Sequence, residues 1–142
     1  MKKAWMLRLI NFWPPFLGAG IRVKKISSDF TSIEVEMKLR FWNKNYVGCH
    51  FGGSLYAMTD PFLMLMLMQN LGKDYIVWDK SASIDYKKPG KSMVHAHFQL
   101  SAEQINQIRE QANIEPKIEP IFNEENQVVA IVEKKLYIRR KI

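Results

Sequence analysis

A chain of 142 residues, 47% hydrophobic and 25% charged, is one globular domain's worth of protein and excludes the disordered and collagen-like classes. Its single cysteine, Cys49, excludes an internal disulfide framework and fits a reducing compartment such as the cytoplasm. The net charge of +7 suits an anionic partner, and it is biased to the front: residues 1–50 hold nine Lys/Arg against three acids, whereas residues 101–142 hold seven of each.

In chain order, MKKAWMLRLINFWPPF begins like a signal peptide, but Arg8 and Asn11 interrupt its apolar run, Pro14-Pro15 follow it and no small-x-small cleavage site is clear. The pattern predicts a short amphipathic helix over about residues 3–13, stopped by Pro14-Pro15 and packed on a single domain spanning 1–142. Trp5, Trp13 and Lys2-Lys3 also leave open contact with a membrane surface.

Residues 21–27 read as a strand, Ser28-Asp29 as a turn, and 31–40 as a second strand, with Ile33, Val35, Met37 and Leu39 on one face and charges on the other. A polar loop then tightens through Gly48 and Gly52-Gly53 into an apolar run that reaches Leu71. Further strands are predicted over 75–88, 92–100, 117–122 and 128–139, with an exposed helix over 102–112. One apolar helix among strands predicts an α+β domain, an antiparallel sheet curled round that helix. A sheet covers only part of an all-apolar helix, so a second subunit is the expected cover.

Asp60 carries the one charge inside the apolar run, and Pro61 follows it. An Asp-Pro pair fits a helix start, with Asp60 as cap. We expect instead a continuous helix from Gly53, kinked where Pro61 leaves the Ala57 carbonyl without its donor.

Gly52-Gly53 with Asp60 eight residues after the first glycine resembles the hotdog-fold thioesterases, in particular the phenylacetyl-CoA thioesterase-like branch. The resemblance covers roughly residues 20–140. It is closest to uncharacterised hotdog domains whose loop reads like GxxFGGSLY, here Gly48 to Tyr56. Phe51 stands where the better-known enzymes carry histidine, with His50 one place earlier. The resemblance implies a hotdog fold and a fatty or aryl acyl-CoA thioester as substrate, with no other cofactor. It also implies a homodimer, or a tetramer built from it, with sites at the dimer interface. Gly52 and Gly53 would stabilise the oxyanion, and Asp60 would be general base or nucleophile. Asn45, His50, Phe51, Ser54 and Thr59 would border the substrate, and Lys87, Lys88 and Lys91 would meet the CoA phosphates. Eight helical residues separate Gly52 from Asp60 by about 12 Å. One thioester carbon therefore meets both groups only if two antiparallel chains share the site.

Other residues suggest less. His95 and His97 share a strand face but lack an evident third metal ligand. Cys49 has no obvious activating base. No nucleic-acid reading motif is present. The main alternative to a thioesterase is a hotdog protein that binds an acyl thioester or fatty acid without turnover, as Phe51 and the Met-rich helix would suit.

Overall fold

The computed structural model describes residue 5, residues 8–111 and residues 117–141. After a 3-10 turn at Arg8–Phe12 comes α1 (Pro14–Ala19), then β1 (Ile21–Ile26) and β2 (Ser32–Met37). Two helices follow, α2 (Gly52–Ala57) and α3 (Phe62–Leu71), then β3 (Tyr75–Tyr86) and β4 (Val94–Gln99). The exposed helix α4 (Ala102–Gln111), β5 (Lys117–Asn123) and β6 (Val128–Arg140) complete the chain. The six strands form one antiparallel sheet in the order β1-β2-β4-β5-β6-β3. This is the α+β hotdog architecture.

The alternation in β2 and β4 does what the sequence pattern implies. Ile33, Val35 and Met37 stand opposite Phe98, Ala96 and Val94, all buried on the side that faces the helices. Phe62 anchors α3 against them, its ring 5.4 Å from that of Phe98 and 5.9 Å from that of Phe16 on α1. Along α3, Phe62, Leu63, Met66, Leu67 and Leu71 are buried, while Met68 is exposed. The apolar side carrying Met68 is the part of this helix that one chain leaves uncovered.

Two expectations need correction. Of the helix expected over 3–13, residues 3, 4, 6 and 7 lie outside the described residues, and 8–12 form a 3-10 turn. Pro14-Pro15 start a helix instead of stopping one. Trp13 is driven extended by the proline after it (φ −66°, ψ 128°), and the two prolines then occupy the first helical positions, where no N–H is required.

The central helix is likewise not continuous. It breaks at Met58–Pro61, where Thr59 N–H bonds to the Tyr56 carbonyl at 3.0 Å and Asp60 N–H to the Ala57 carbonyl at 3.3 Å. The oxygen that Pro61 would have orphaned is taken by the preceding residue through a tighter i→i+3 bond. Nor does Asp60 act as a side-chain cap of α3. It sits in the junction between the two segments.

Candidate functional site

Gly52 and Gly53 are the first residues of α2, so their N–H groups have no acceptor inside the helix. Both pack closely against aromatic side chains. A Cβ on Gly52 would lie 2.8 Å from the Tyr86 hydroxyl, and one on Gly53 would lie 2.7 Å from the Phe51 ring. The pair borders an open pocket of about 650 Å³ that also includes Asn45, His50, Phe51, Lys87 and Lys88. Lys91 is not part of it and lies beside Lys38 and Met93.

The loop before the glycines is held by its own side chains. Asn45 Oδ1 accepts N–H bonds from Val47 at 3.0 Å and Cys49 at 2.9 Å, and its backbone N–H meets the Cys49 carbonyl. Asn43 Nδ2 donates to the Ala19 and Lys38 carbonyls, and its Oδ1 accepts from Arg40 N–H, which ties the loop to the end of α1. His50 is only 3% exposed, and its Nε2 lies 2.7 Å from the Ser92 carbonyl, an arrangement that requires the proton on Nε2. Ser54 is in the first turn of the glycine helix and is half-buried. Thr59 is fully buried and donates its hydroxyl to the Tyr56 carbonyl at 2.8 Å.

Burial holds the His50 imidazole below its ordinary value, with the Ser92 contact opposing this. The unfolded chain therefore takes up a proton that the folded one resists. Stability is expected to fall as pH drops below about 6.5, the ordinary histidine value. Thermal melts across pH 5 to 8 test this, and His50→Gln, which retains a donor toward Ser92, is expected to flatten the dependence.

Asp60 belongs to a charge cluster that the sequence reading did not identify. Lys134 on β6 has no exposed side-chain surface, yet its ammonium bonds to Asp79 Oδ2 at 3.0 Å and meets Asp60 Oδ1 at 3.4 Å, besides contacting the Asp60 backbone carbonyl. The ammonium also lies 5.9 Å from the Tyr56 ring centroid. The Asp60 carboxyl keeps 52% of its surface open, so one end of the cluster faces outward. Burial raises the Asp79 carboxyl above its ordinary value; Lys134 pulls it back and Asp60 pushes it further up. Burial also raises the Tyr56 phenol, and the two carboxylates add to that.

A bulge produces this cluster. On β6, Val132, Lys134, Leu136 and Ile138 alternate onto the buried face. On β3, Tyr86, Ile84 and Ala82 pair with Ala130, Val132 and Lys134, and the register then shifts between Asp79 and Ser81. The extra residue, Lys80, brings Asp79 opposite Leu136 and hence onto the helix-facing side with Tyr86. Trp78 consequently faces away, stacked on Tyr137 at 4.5 Å.

The other candidates are placed elsewhere. His97 Nε2 lies 2.7 Å from Ser32 Oγ, and His95 stacks on Phe122. Among the described residues no group of three His, Cys, Asp or Glu is arranged to hold a metal ion. Cys49 is buried. Among the described residues no helix is long and apolar enough to cross a membrane.

Similar structures share this frame. The chain resembles a protein of unknown function from Pseudomonas aeruginosa, called a probable thioesterase, at 17% identity with a TM-score of 0.81, over 99% of this chain and 97% of that one. It resembles a thioesterase from Haemophilus influenzae at 17% identity and TM-score 0.72, over 99% and 92% of the two chains. It also resembles the PaaI protein of the phenylacetic acid degradation operon of E. coli at 16% identity and TM-score 0.64, over 95% and 92%. No curated protein matches the sequence at a significant level. The model of one sequence family does, and it matches residues 2–138, which takes in both glycines and all three members of the charge cluster. The chain thus belongs to the DUF4442 family, a domain of unknown function, here on the hotdog fold.

Proposed function

We propose that the protein is an acyl-CoA thioesterase whose active site is completed by a second copy of the chain. One observation carries the reading: the glycine pair and Asp60 both lie along β3, the open edge of the sheet. Gly52 packs against Tyr86 at one end of that strand, and Asp60 is joined through Lys134 to Asp79 on its other half. Antiparallel pairing of β3 with its copy around Ala82 or Ser83 would bring the Asp79 end of one protomer to the Tyr86 end of the other. Each Asp60 would then face its partner's glycines, giving two equivalent sites across a two-fold axis. The same pairing satisfies an edge otherwise open to solvent and offers cover for the Met68 side of α3.

In that site the thioester carbonyl oxygen points at the Gly52 and Gly53 N–H groups of one copy, which stabilise the developing oxyanion. Asp60 of the other copy accepts a proton from water as it attacks, or attacks the carbonyl carbon itself to form an anhydride that water then hydrolyses; the C–S bond breaks and coenzyme A leaves as the thiol, taking up the proton that the water gives up. Asp79 and Lys134 hold the carboxyl in place. Lys87 and Lys88, exposed at the rim, suit CoA phosphates. Phe51 offers an apolar wall for a fatty or aryl acyl group. The cytoplasm, where the acyl-CoA pool and a free thiol such as Cys49 coexist, is the location this reading fits.

A second reading rests on Lys134. Its ammonium, 3.4 Å from Asp60 Oδ1, engages that carboxylate in an ion pair, which would suit a protein that holds acyl thioesters without cleaving them. A panel of acyl-CoAs from acetyl to palmitoyl, with phenylacetyl-CoA included, is expected to give thiol release on at least one member. Tight binding across the panel with no thiol release would replace the thioesterase by the binding protein.

A further inference from the structure

On the β1 side of the sheet lies a group of large exposed apolar side chains, and the two segments that carry them hold no carboxylate. Phe41 and Trp42 form an edge-to-face pair at 5.2 Å, yet they remain 82% and 52% exposed. Asn43 fastens their loop to the C-terminal end of α1; Leu17 on that helix is also exposed, as are Trp13 just before its start and Phe12 and Leu9 on the preceding turn. Large apolar side chains left exposed on two segments that are tied together mark a contact site. It is held rigidly. The Asn11 side chain takes both the N–H and the carbonyl of Val23 on β1, at 2.7 and 3.2 Å, which closes that edge of the sheet and fixes the turn to it.

Charge indicates what the patch meets. The two segments that build it, residues 8–20 and 38–51, contain Arg8, Lys38, Arg40 and Lys44 and no Asp or Glu, and the four basic residues are exposed. The Arg40 guanidinium lies 5.2 Å from the Trp42 ring centroid, so cation and aromatic are presented together. The patch is also clear of the proposed dimer edge. β1 and β3 are the opposite edges of the six-stranded sheet, separated by five strand spacings, or ~24 Å measured along the sheet.

We infer that this patch is a docking surface for an anionic lipid bilayer. Phe41, Trp42 and the aromatic residues of the N-terminal turn enter the headgroup region, while Arg8, Lys38, Arg40 and Lys44 engage lipid phosphates. The loop that carries Phe41 and Trp42 continues through Val47 to Phe51 at the pocket. The inference concerns binding to lipid and does not depend on catalysis.

Vesicle sedimentation tests it with the full-length chain. The protein is expected to sediment with vesicles of phosphatidylcholine and phosphatidylglycerol in equal parts at low salt, with a blue-shifted tryptophan emission. Binding should fall at least fivefold on pure phosphatidylcholine or in 0.5 M salt, and at least tenfold in the double variant Phe41→Ser/Trp42→Ser. A thermal melt of that variant matching the wild type would show that the loss is one of contact. Absence of sedimentation at low salt overturns the inference, as does binding unchanged in the variant. It is also overturned if the double substitution reduces the oligomer's mass in solution without vesicle binding, because the patch would then join copies of this chain.

Discussion

Asp60→Asn and Gly52→Val, each inactive by itself, are expected to recover activity when combined in one dimer. The asparagine keeps shape and loses the base; a loss of about two to three orders of magnitude is usual when a single group of this kind is removed from an acyl-transfer site. Valine at position 52 puts a branched side chain where a Cβ would already stand 2.8 Å from the Tyr86 hydroxyl, so it crowds the face from which a thioester carbonyl must reach the N–H groups. If each site takes its glycines from one chain and its acid from the other, the mixed dimer has one site with both defects and one with neither. Isolated through two different affinity tags, it should therefore show about half the wild-type rate. A site contained in one chain gives a different result, since both sites of the mixed dimer would then be defective. A mixed dimer as inactive as its parents, with all melts normal, would sink the shared-site arrangement while leaving the panel of acyl-CoAs to judge the activity separately.

How far the sequence alone leads is clearest from the residues of that site. The strands were legible because alternation in β2 and β4 survives directly as burial. Gly52-Gly53 and Asp60 were legible as a spacing. What failed was the backbone between them: Pro61 was read as a kink in one helix, but the Ala57 carbonyl found a nearer donor and the helix divided. Lys134 was legible in principle. It lies in register with Val132, Leu136 and Ile138, and a lysine on the buried face of a strand needs a counter-charge. Asp79 was not, because alternation counted from Ile84 and Ala82 places residue 79 on the outer face, and only the extra residue at Lys80 turns it inward. A bulge changes which face a side chain occupies without changing composition or periodicity enough to be seen in one sequence.

Lys134→Met is expected to lower stability by about 3 kcal/mol at neutral pH, by far less at acidic pH, and to lower activity in parallel. Methionine fills the space well, so the cost is not a cavity. It comes from leaving Asp79, largely buried and already raised by that burial, beside Asp60 with no cation between them. One carboxyl then has to hold a proton, and a protonated Asp79 has Asp60 as its acceptor. The sign follows from linkage. A carboxyl whose folded value lies above its unfolded value, ordinarily 3.8, binds more protons folded than unfolded, so its stabilising effect is full below that value and is lost as pH rises through the folded one. Wild-type protein should show this descending limb because Asp79 is already raised, and Lys134→Met should steepen it and extend it to higher pH. Asp79→Asn in the Lys134→Met background removes the buried acid and should restore most of the lost stability, since a neutral pair needs no counter-charge. Its activity should stay below wild type, because Asp60 would no longer be held by either neighbour. Urea unfolding of the three proteins at pH 5 and 7.5, with turnover measured in parallel, separates the two effects. A Lys134→Met protein as stable as wild type at pH 7.5 would mean that the buried ammonium is not what keeps the two carboxylates together.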